Sequence, residues 1–382
     1  MKKGYTILVL AALSAIACSS LFMPVSRYSA MENRYLTTWP GLSVENILSG
    51  TFQKDLEKAL SDQFPFRDAC VKLSVEGELA MGRQDISGVY AKRDGSYVEK
   101  VVSSELSKSR FDLNLRFLSK MAEDHQVPVD LFMVPGAPEM EPYRLPAGAP
   151  YYDAASYRAA ARHSLSSGKA KAGEVSVVPV DFRMRRKEHY FYTDHHYNNH
   201  GAYECAMAYR SYLGKKRRSY HSYGQKLMAD DFRGTLYSKA PRANAKYDRI
   251  ILPSLLQKVS VSYEGGSDGH LTNSGEKDSL YDLRYLKEKD KYSTYLGGNH
   301  GLVRVKVKGG TGKGKLLIIK DSFANSVLPY LVGDYREVDM IDLRYYTGSV
   351  KEYLEKEQPD RVLVYYEMSN FIKEEKASAL IR

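Results

Sequence analysis

The chain has 382 residues, 43% of them hydrophobic and 27% charged, with a net charge of +10. That length excludes a small disulfide-dependent scaffold, and that composition excludes a disordered chain. The charge admits an anionic partner, but the basic runs Arg183–Lys187 and Lys215–Arg218 sit in no nucleic-acid-binding module. A solvated basic face explains them, and no nucleic-acid partner is predicted.

The chain opens MKKGYTILVLAALSAIACSSLFMPVSR. Lys2 and Lys3 precede 19 uncharged residues, Tyr5 to Met23, and Pro24 ends the run. The length suits one membrane span, and the lysines hold the N-terminus inside. Residues 1–24 are therefore predicted to be a signal anchor. A cleaved signal at Ala15-Ile16-Ala17 ranks second and lipidation at Cys18 third. Each predicts a body outside the cytoplasm, membrane-anchored or secreted.

Residues 25–105 are predicted to form a polar stalk over 25–50 and then a helical and hairpin extension. Phe52, Leu56 and Leu60 recur every fourth residue, and Val71, Leu73 and Leu79 continue beyond Pro65. GVYAKRDGSYVEK predicts a hairpin turning at Arg93-Asp94-Gly95. Residues 106–382 are predicted as the main domain. A helix over 107–124 leads to the buried strand VPVDLFMVPG, and a helix over 155–168 leads to VSVVPV. HGAYECAMAYRSYL is helical with Asn199 near its N-cap, and the polar residues 214–290 suit an insertion or a set of surface hairpins. LVRVKVKGG alternates like a half-buried strand, and KLLIIKDSFANSVLPYLVG predicts strand, tight turn and helix. Strand, helix and strand close the chain. This alternation predicts a three-layer α/β domain with a mostly parallel sheet. Cys70 and Cys205 fit buried small residues on helices better than a disulfide. Tyrosine is abundant, at 31 residues, and offers a flat apolar face with a hydroxyl, which suits sugar-like ligands or half-buried strand positions.

In open α/β sheets the chemistry collects beyond the C-terminal ends of strands. Ser322 lies there, after Leu316–Ile319, at the start of a helix. Its hydroxyl is exposed for attack and its own N–H can meet an oxyanion, but Ser is also a favoured helix N-cap. YFYTDHHYNNHGAY supplies what a serine nucleophile needs. Asp194 and His196 are two apart, so in an extended segment both side chains share one side. The carboxylate then orients one ring nitrogen and leaves the other for Ser322. A metal reading takes Asp194, His196 and His200 instead, and a third reading takes a polar loop with satisfied histidines.

YTDHHYNNHGAY, YLGGNHG, IIKDSFANSVLPYL and VDLRYY, in this order, resemble the DHHW family, which is related to the SGNH-hydrolase-like domains of the alginate O-acetyltransferases. ENRYLTTWP and DQFPFRD resemble its N-terminal segment. The resemblance implies an SGNH-hydrolase-like, flavodoxin-like α/β/α fold with a circularly permuted motif order. It implies Asp194, His196 and Ser322 as the triad, with Ser322, Gly298 and Asn299 in the Gly297-Gly298-Asn299 region as oxyanion donors. Arg344, Tyr197, His195 and Asn325 are the candidate substrate-binding positions, although Arg344 could equally pair with Asp342 or Asp321. Tyr197 stands where the family name expects tryptophan.

The first functional expectation is an extracytoplasmic serine O-acyltransferase, with acetyl as the acyl group and a polysaccharide acceptor. It uses an acyl donor, needs no metal or other cofactor, and by resemblance works beside a membrane-bound O-acyltransferase. The alternatives are a carbohydrate esterase, which differs only in acceptor, and a non-catalytic polysaccharide-binding surface protein.

Overall fold

The structure, a computed structural model, describes residues 23–180, 188–265 and 274–382, together with Gly4, Ala11 and Ser19. The predicted anchor over 1–24 and the basic run Arg183–Lys187 fall largely or wholly outside the described residues. Among the described residues no helix is long and apolar enough to cross a membrane.

The N-terminal part contains a two-stranded ladder of β1 (Tyr28–Ser29) and β2 (Arg34–Tyr35), then helices α1 (Thr51–Asp62) and α2 (Arg67–Ala80). Residues 26–37, predicted as stalk, are fastened to the end of α1. Gln63 Nε2 donates to the carbonyls of Ser26 and Thr37, each at 2.9 Å, and Asp62 accepts from Thr37 N–H at 2.9 Å and from Arg34. The expected apolar stripe on α1 is not what it buries. Ala59 and Asp62 are its buried residues, and Leu60 is exposed, because the helix docks through a polar clamp. Leu73 on α2 is likewise exposed, and so is Cys70, contrary to the buried position predicted for it. Cys205 is buried, and both thiols are free.

The predicted hairpin forms as β4 (Val89–Ala91) and β5 (Tyr97–Glu99), joined by the short β3 (Asp85–Ile86). It docks against the histidine-rich segment: Tyr97 N–H donates to Tyr192 O at 2.8 Å.

The main domain is a three-layer α/β structure. Helix α3 (Lys108–His125) precedes β6 (Val129–Val134), and α4 (Ala154–Ser164) precedes β7 (Val175–Val177). Next come α5 (Asn199–Tyr212), β8 (Lys226–Phe232), α6 (Thr235–Lys239), β9 (Asp248–Leu252), β10 (Lys258–Glu264) and β11 (Ser274–Lys277). The chain closes with β12 (Leu302–Lys308), β13 (Lys315–Lys320), α7 (Ala324–Leu331), β14 (Glu337–Ile341), α8 (Val350–Glu357), β15 (Arg361–Glu367) and α9 (Met368–Lys373).

The main sheet has the order β11-β10-β12-β14-β13-β15-β6-β7. It is parallel from β14 through β7 and antiparallel along the β11–β10–β12–β14 edge. Along β13, Leu316 and Ile318 join the core under α5 and α7, while Leu317 and Ile319 join the core under α3 and α8. Alternate side chains of a strand face opposite sides, so a strand apolar at every position is one covered on both faces. The segment 214–290 is not a simple surface insertion. Its β10 and β11 extend the main sheet, and its remaining elements reach the candidate site.

Candidate active site

Strand β13 ends at Lys320 and α7 begins at Ala324, so Asp321, Ser322 and Phe323 form the turn at the strand's C-terminal end. Asp321 takes over the capping work. Its Oδ1 accepts from Phe323 N–H at 3.0 Å, and its Oδ2 accepts from Glu367 N–H at 2.9 Å and Asn370 Nδ2 at 2.8 Å. The N-cap residue itself is Phe323, with no side-chain cap, so the hydroxyl of Ser322 is not spent on the helix end.

That hydroxyl meets His196. Ser322 Oγ lies 2.7 Å from His196 Nε2, and His196 Nδ1 lies 2.6 Å from Asp194 Oδ1. Asp194 also accepts from the backbone N–H of His196 at 3.1 Å, the local contact its two-residue spacing allows. Burial would raise the Asp194 carboxyl, but the neighbouring imidazoles of His195 and His196, with hydrogen bonds from His196 and Thr235, hold it well below the usual range. An ionised Asp194 accepts, so Nδ1 of His196 carries the proton and Nε2 offers its lone pair to the Ser322 hydroxyl. Burial, with repulsion from His195, pushes His196 down to about 4 against the pull of Asp194. The ring is therefore neutral near pH 7, the state a general base requires.

The rest of the cradle comes from the polar segment 214–290. Asp194 Oδ2 accepts from Thr235 N–H at 2.8 Å and from Thr235 Oγ1 at 3.0 Å. Thr235 Oγ1 in turn lies 2.8 Å from His195 Nδ1, so His195 donates into the same chain. Gly234 lets the backbone approach this closely, because a Cβ there would sit 2.2 Å from Asp194 Oδ2. Asp248 on β9 accepts from the N–H groups of Tyr192 and Thr193, both at 2.8 Å, and from Thr193 Oγ1 at 2.6 Å, fixing the backbone just before Asp194. Tyr292 stacks on His196 with centroids 3.8 Å apart and planes 9° apart, and its hydroxyl donates to Ser322 O at 2.9 Å. Spacing in the sequence carries no trace of Thr235, Asp248 or Tyr292. The only local signal is Gly-Thr at the start of a short helix.

The oxyanion candidates separate. Ser322 N–H makes no hydrogen bond among the described residues and stays available at the turn. Gly298 N–H is committed to Tyr295 O at 3.2 Å. Asn299 follows three successive residues in the left-handed region, Leu296, Gly297 and Gly298. A leucine held there is strained, a feature common where the chain must present a particular group. Asn299 Oδ1 accepts from Lys320 Nζ at 3.1 Å and from Asn325 Nδ2 at 3.2 Å. Both contacts engage its oxygen, so its amide NH2 is turned the other way.

The predicted substrate-binding residues do not sit together. Arg344 forms a two-point ion pair with Asp342 at 2.8 and 2.6 Å, and Asp342 also lies 3.4 Å from the buried Lys320. Tyr197 is buried, and its hydroxyl donates to Phe323 O and lies 2.9 Å from Tyr365 OH. It braces the Ser322 turn from beneath, because an aromatic whose hydroxyl finds partners in the core packs there. Asn325 is also buried, bonded to Lys320 and Asn299. Of the four, only His195 lines a small cavity beside Asp194, together with Phe323 and Glu367. Burial pushes Glu367 up to about 8.

The metal reading with His200 is not assembled. His200 is exposed at the start of α5, beside His189 and Tyr220, while Asp194, His195 and His196 cluster without it. Asn198, not Asn199, caps α5, accepting from His200 N–H and Gly201 N–H. Asn199 is buried and bonded to Tyr330 and Ile251. The acidic cluster of Glu337, Asp339 and Glu357 holds Lys315 Nζ at 2.6 to 3.1 Å.

Residues 154–341 match the DHHW family, described as DHHW protein. Among curated proteins no relative matches. Among solved structures the fold is similar to a DHHW family protein from Eubacterium siraeum, 18% identical, with a TM-score of 0.60 over 76% of this chain and 96% of that one. It is also similar to Bacillus cereus PatB1 carrying a sulfonyl adduct, 17% identical, with a TM-score of 0.58 over 74% of this chain and 95% of that one. Likeness at such identity speaks for the fold. The matched segment runs from α4 through β14 and carries the motifs in their order, so over this span the chain is similar to the DHHW family.

Proposed function

We propose that the protein is an extracytoplasmic serine O-acyltransferase that moves an acyl group, acetyl first among candidates, onto a polysaccharide hydroxyl. The observation that carries this is the relay from Asp194 Oδ1 through the His196 ring to Ser322 Oγ, with contacts of 2.6 and 2.7 Å. On this reading the domain is SGNH-hydrolase-like with a permuted motif order. The extracytoplasmic location rests on the N-terminal apolar run, and a membrane-bound O-acyltransferase would supply the acyl donor.

In the first step Ser322 Oγ attacks the acyl carbonyl while His196 Nε2 takes the hydroxyl proton. Asp194 stays ionised and stabilises the imidazolium. The oxyanion is met by Ser322 N–H and the Asn299 amide. The carbon–oxygen bond to the leaving group breaks, and His196 returns the proton to that group. The acyl-enzyme then accepts a sugar hydroxyl, whose proton passes to His196 as the new ester forms. Expulsion of Ser322, reprotonated by His196, completes the cycle. Water in place of the sugar gives an esterase. PatB1 in its sulfonyl-adduct form supports the reading by analogy, since sulfonylating reagents add to activated nucleophiles.

The test is peptide mass spectrometry of the full chain after incubation with p-nitrophenyl acetate, wild type beside Ser322→Ala. An acetyl group on the Ser322 peptide, absent from the variant, is the expected result. Folded wild type with neither adduct nor ester turnover would overturn the reading. Sugar acceptors added afterwards separate transfer from hydrolysis.

A further inference from the structure

A second feature adjoins the triad. The turn Lys291–Thr294 has two faces. Tyr292 points at His196, while Asp290 and Ser293 line a separate cleft of about 650 Å3. That volume falls within the roughly 300–1,000 Å3 typical of small-ligand sites. One wall is the strained loop Leu296–Gly298, which leads directly to Asn299. The opposite wall comes from the far end of the sequence, where Tyr28 and Tyr35 pair across the β1–β2 ladder. Their rings meet edge to face at 5.6 Å, and Tyr35 is 83% exposed. Tyr285 and Tyr263 also line the cleft.

The charges narrow the occupant. Arg284 is held at two points by Asp282, at 2.9 and 2.6 Å, and Lys277 lies 3.8 Å from the same carboxylate. Lys289 donates to the carbonyl of Arg233. The three cations among the described lining residues are matched in number by three carboxylates, Asp282, Glu288 and Asp290, the last two beside Tyr28. An anionic sugar chain gains no net attraction there. A neutral one finds aromatic faces for its C–H surfaces, and for its hydroxyls the remaining lone pairs and N–H groups of Tyr28, Asn33 and Ser293, of which Tyr28 already donates to Asn33 and Ser293 to Asp290. The paired glycines at φ +73° and +102° carry no side chain into the space.

We infer that the cleft between the β1–β2 ladder and the Asp290–Gly298 loop is a binding subsite for a neutral pyranose oligosaccharide, positioning it for the serine next door. Its role as an acceptor site rests on the acyl-transfer reading; the binding itself does not.

The experiment titrates the full-length Ser322→Ala protein calorimetrically with cellopentaose, chitopentaose and a mannuronate pentamer. A neutral pentamer is expected to bind, and the mannuronate at least tenfold more weakly. Tyr28→Ala and Tyr35→Ala, with melting curves to show that they fold, are expected to weaken binding at least tenfold. Tyr143→Ala, an exposed tyrosine outside the cleft, is expected to leave it unchanged. No binding of either neutral oligomer, equal or tighter binding of the mannuronate, or binding unaffected by both tyrosine variants would overturn the subsite. Binding that follows the expected pattern in a protein whose wild type forms no acetyl adduct would support the subsite and overturn the acyl-transfer reading, so the two failures are distinguishable.

Discussion

Thr235 donates both its backbone N–H and its hydroxyl to Asp194 Oδ2, at 2.8 and 3.0 Å, which leaves Oδ1 for His196. The carboxylate is thereby oriented by a residue 41 positions away in a segment that reads as a polar insertion. Thr235→Val keeps the N–H and the shape but deletes the hydroxyl. A hydrogen bond to a charged group contributes about 1.5–3 kcal/mol, so a drop in kcat/KM of roughly tenfold or more on an acetyl ester is expected. Thr235→Ser should restore it. Full activity in the valine variant would show that the hydroxyl does not orient Asp194.

Asp194→Asn tests the proton assignment. An asparagine can present its NH2 to Nδ1 and force the proton onto Nε2, the wrong nitrogen for a base. In serine triads such a change lowers kcat by about 10⁴ with the geometry intact. Steady-state rates on p-nitrophenyl acetate, with circular dichroism on the same samples, check this. A loss of only a few fold would argue that Ser322 is not activated through His196.

The pH dependence follows from His196, held down to about 4 mainly by burial. Its ordinary value is 6.5, so between these limits the unfolded chain binds a proton that the folded chain does not. Stability from this group is complete above pH 6.5 and is lost as pH falls toward 4. The acid limb of kcat/KM should likewise turn well below 6.5. Rates and denaturant midpoints between pH 4 and 8 report both. A limb centred at or above 6.5 would contradict a buried, neutral base.

Tyr197→Phe separates a bracing role from ligand contact. The tyrosine hydroxyl donates to Phe323 O beneath the Ser322 turn. Its removal leaves a buried acceptor short of a donor, a penalty of about 1–3 kcal/mol by denaturant unfolding. A ligand-contacting tyrosine would instead leave the midpoint alone and raise KM for the acceptor.

Thiol accessibility offers an inexpensive check of the fold. Cys70 is exposed on α2, whereas Cys205 is buried on α5 and its thiol is pushed up to about 12 by burial. Iodoacetamide followed by peptide mapping should label Cys70 in native protein and Cys205 only after denaturation. Native labelling of Cys205 would be incompatible with its place under α7.

Some of this was legible in the chain. Alternating apolar strands and amphipathic helices from 107 onward gave the α/β layering, since periodicity reports which faces are covered. The run Leu316–Ile319 ahead of Lys320-Asp321-Ser322 marked a strand end, and Asp194 with His196 marked a shared side, because both are short-range consequences of backbone geometry. The polar clamp on α1, the buried place of Tyr197 and the commitment of Gly298 were not legible. Each depends on what lies opposite in space, and local patterning carries no record of that.

What the sequence alone determined is the set of chemical groups and the local geometry that lets two of them share an edge. Only the tertiary structure decided that Asp321 rather than Ser322 serves the helix end, that Asp342 holds Arg344, and that Thr235, Asp248 and Tyr292 converge from 214–292 on the same few ångströms. The physical reason is that a buried carboxylate or imidazole must find hydrogen-bond partners wherever folding brings them, and those partners come from chain segments whose spacing in sequence is unconstrained.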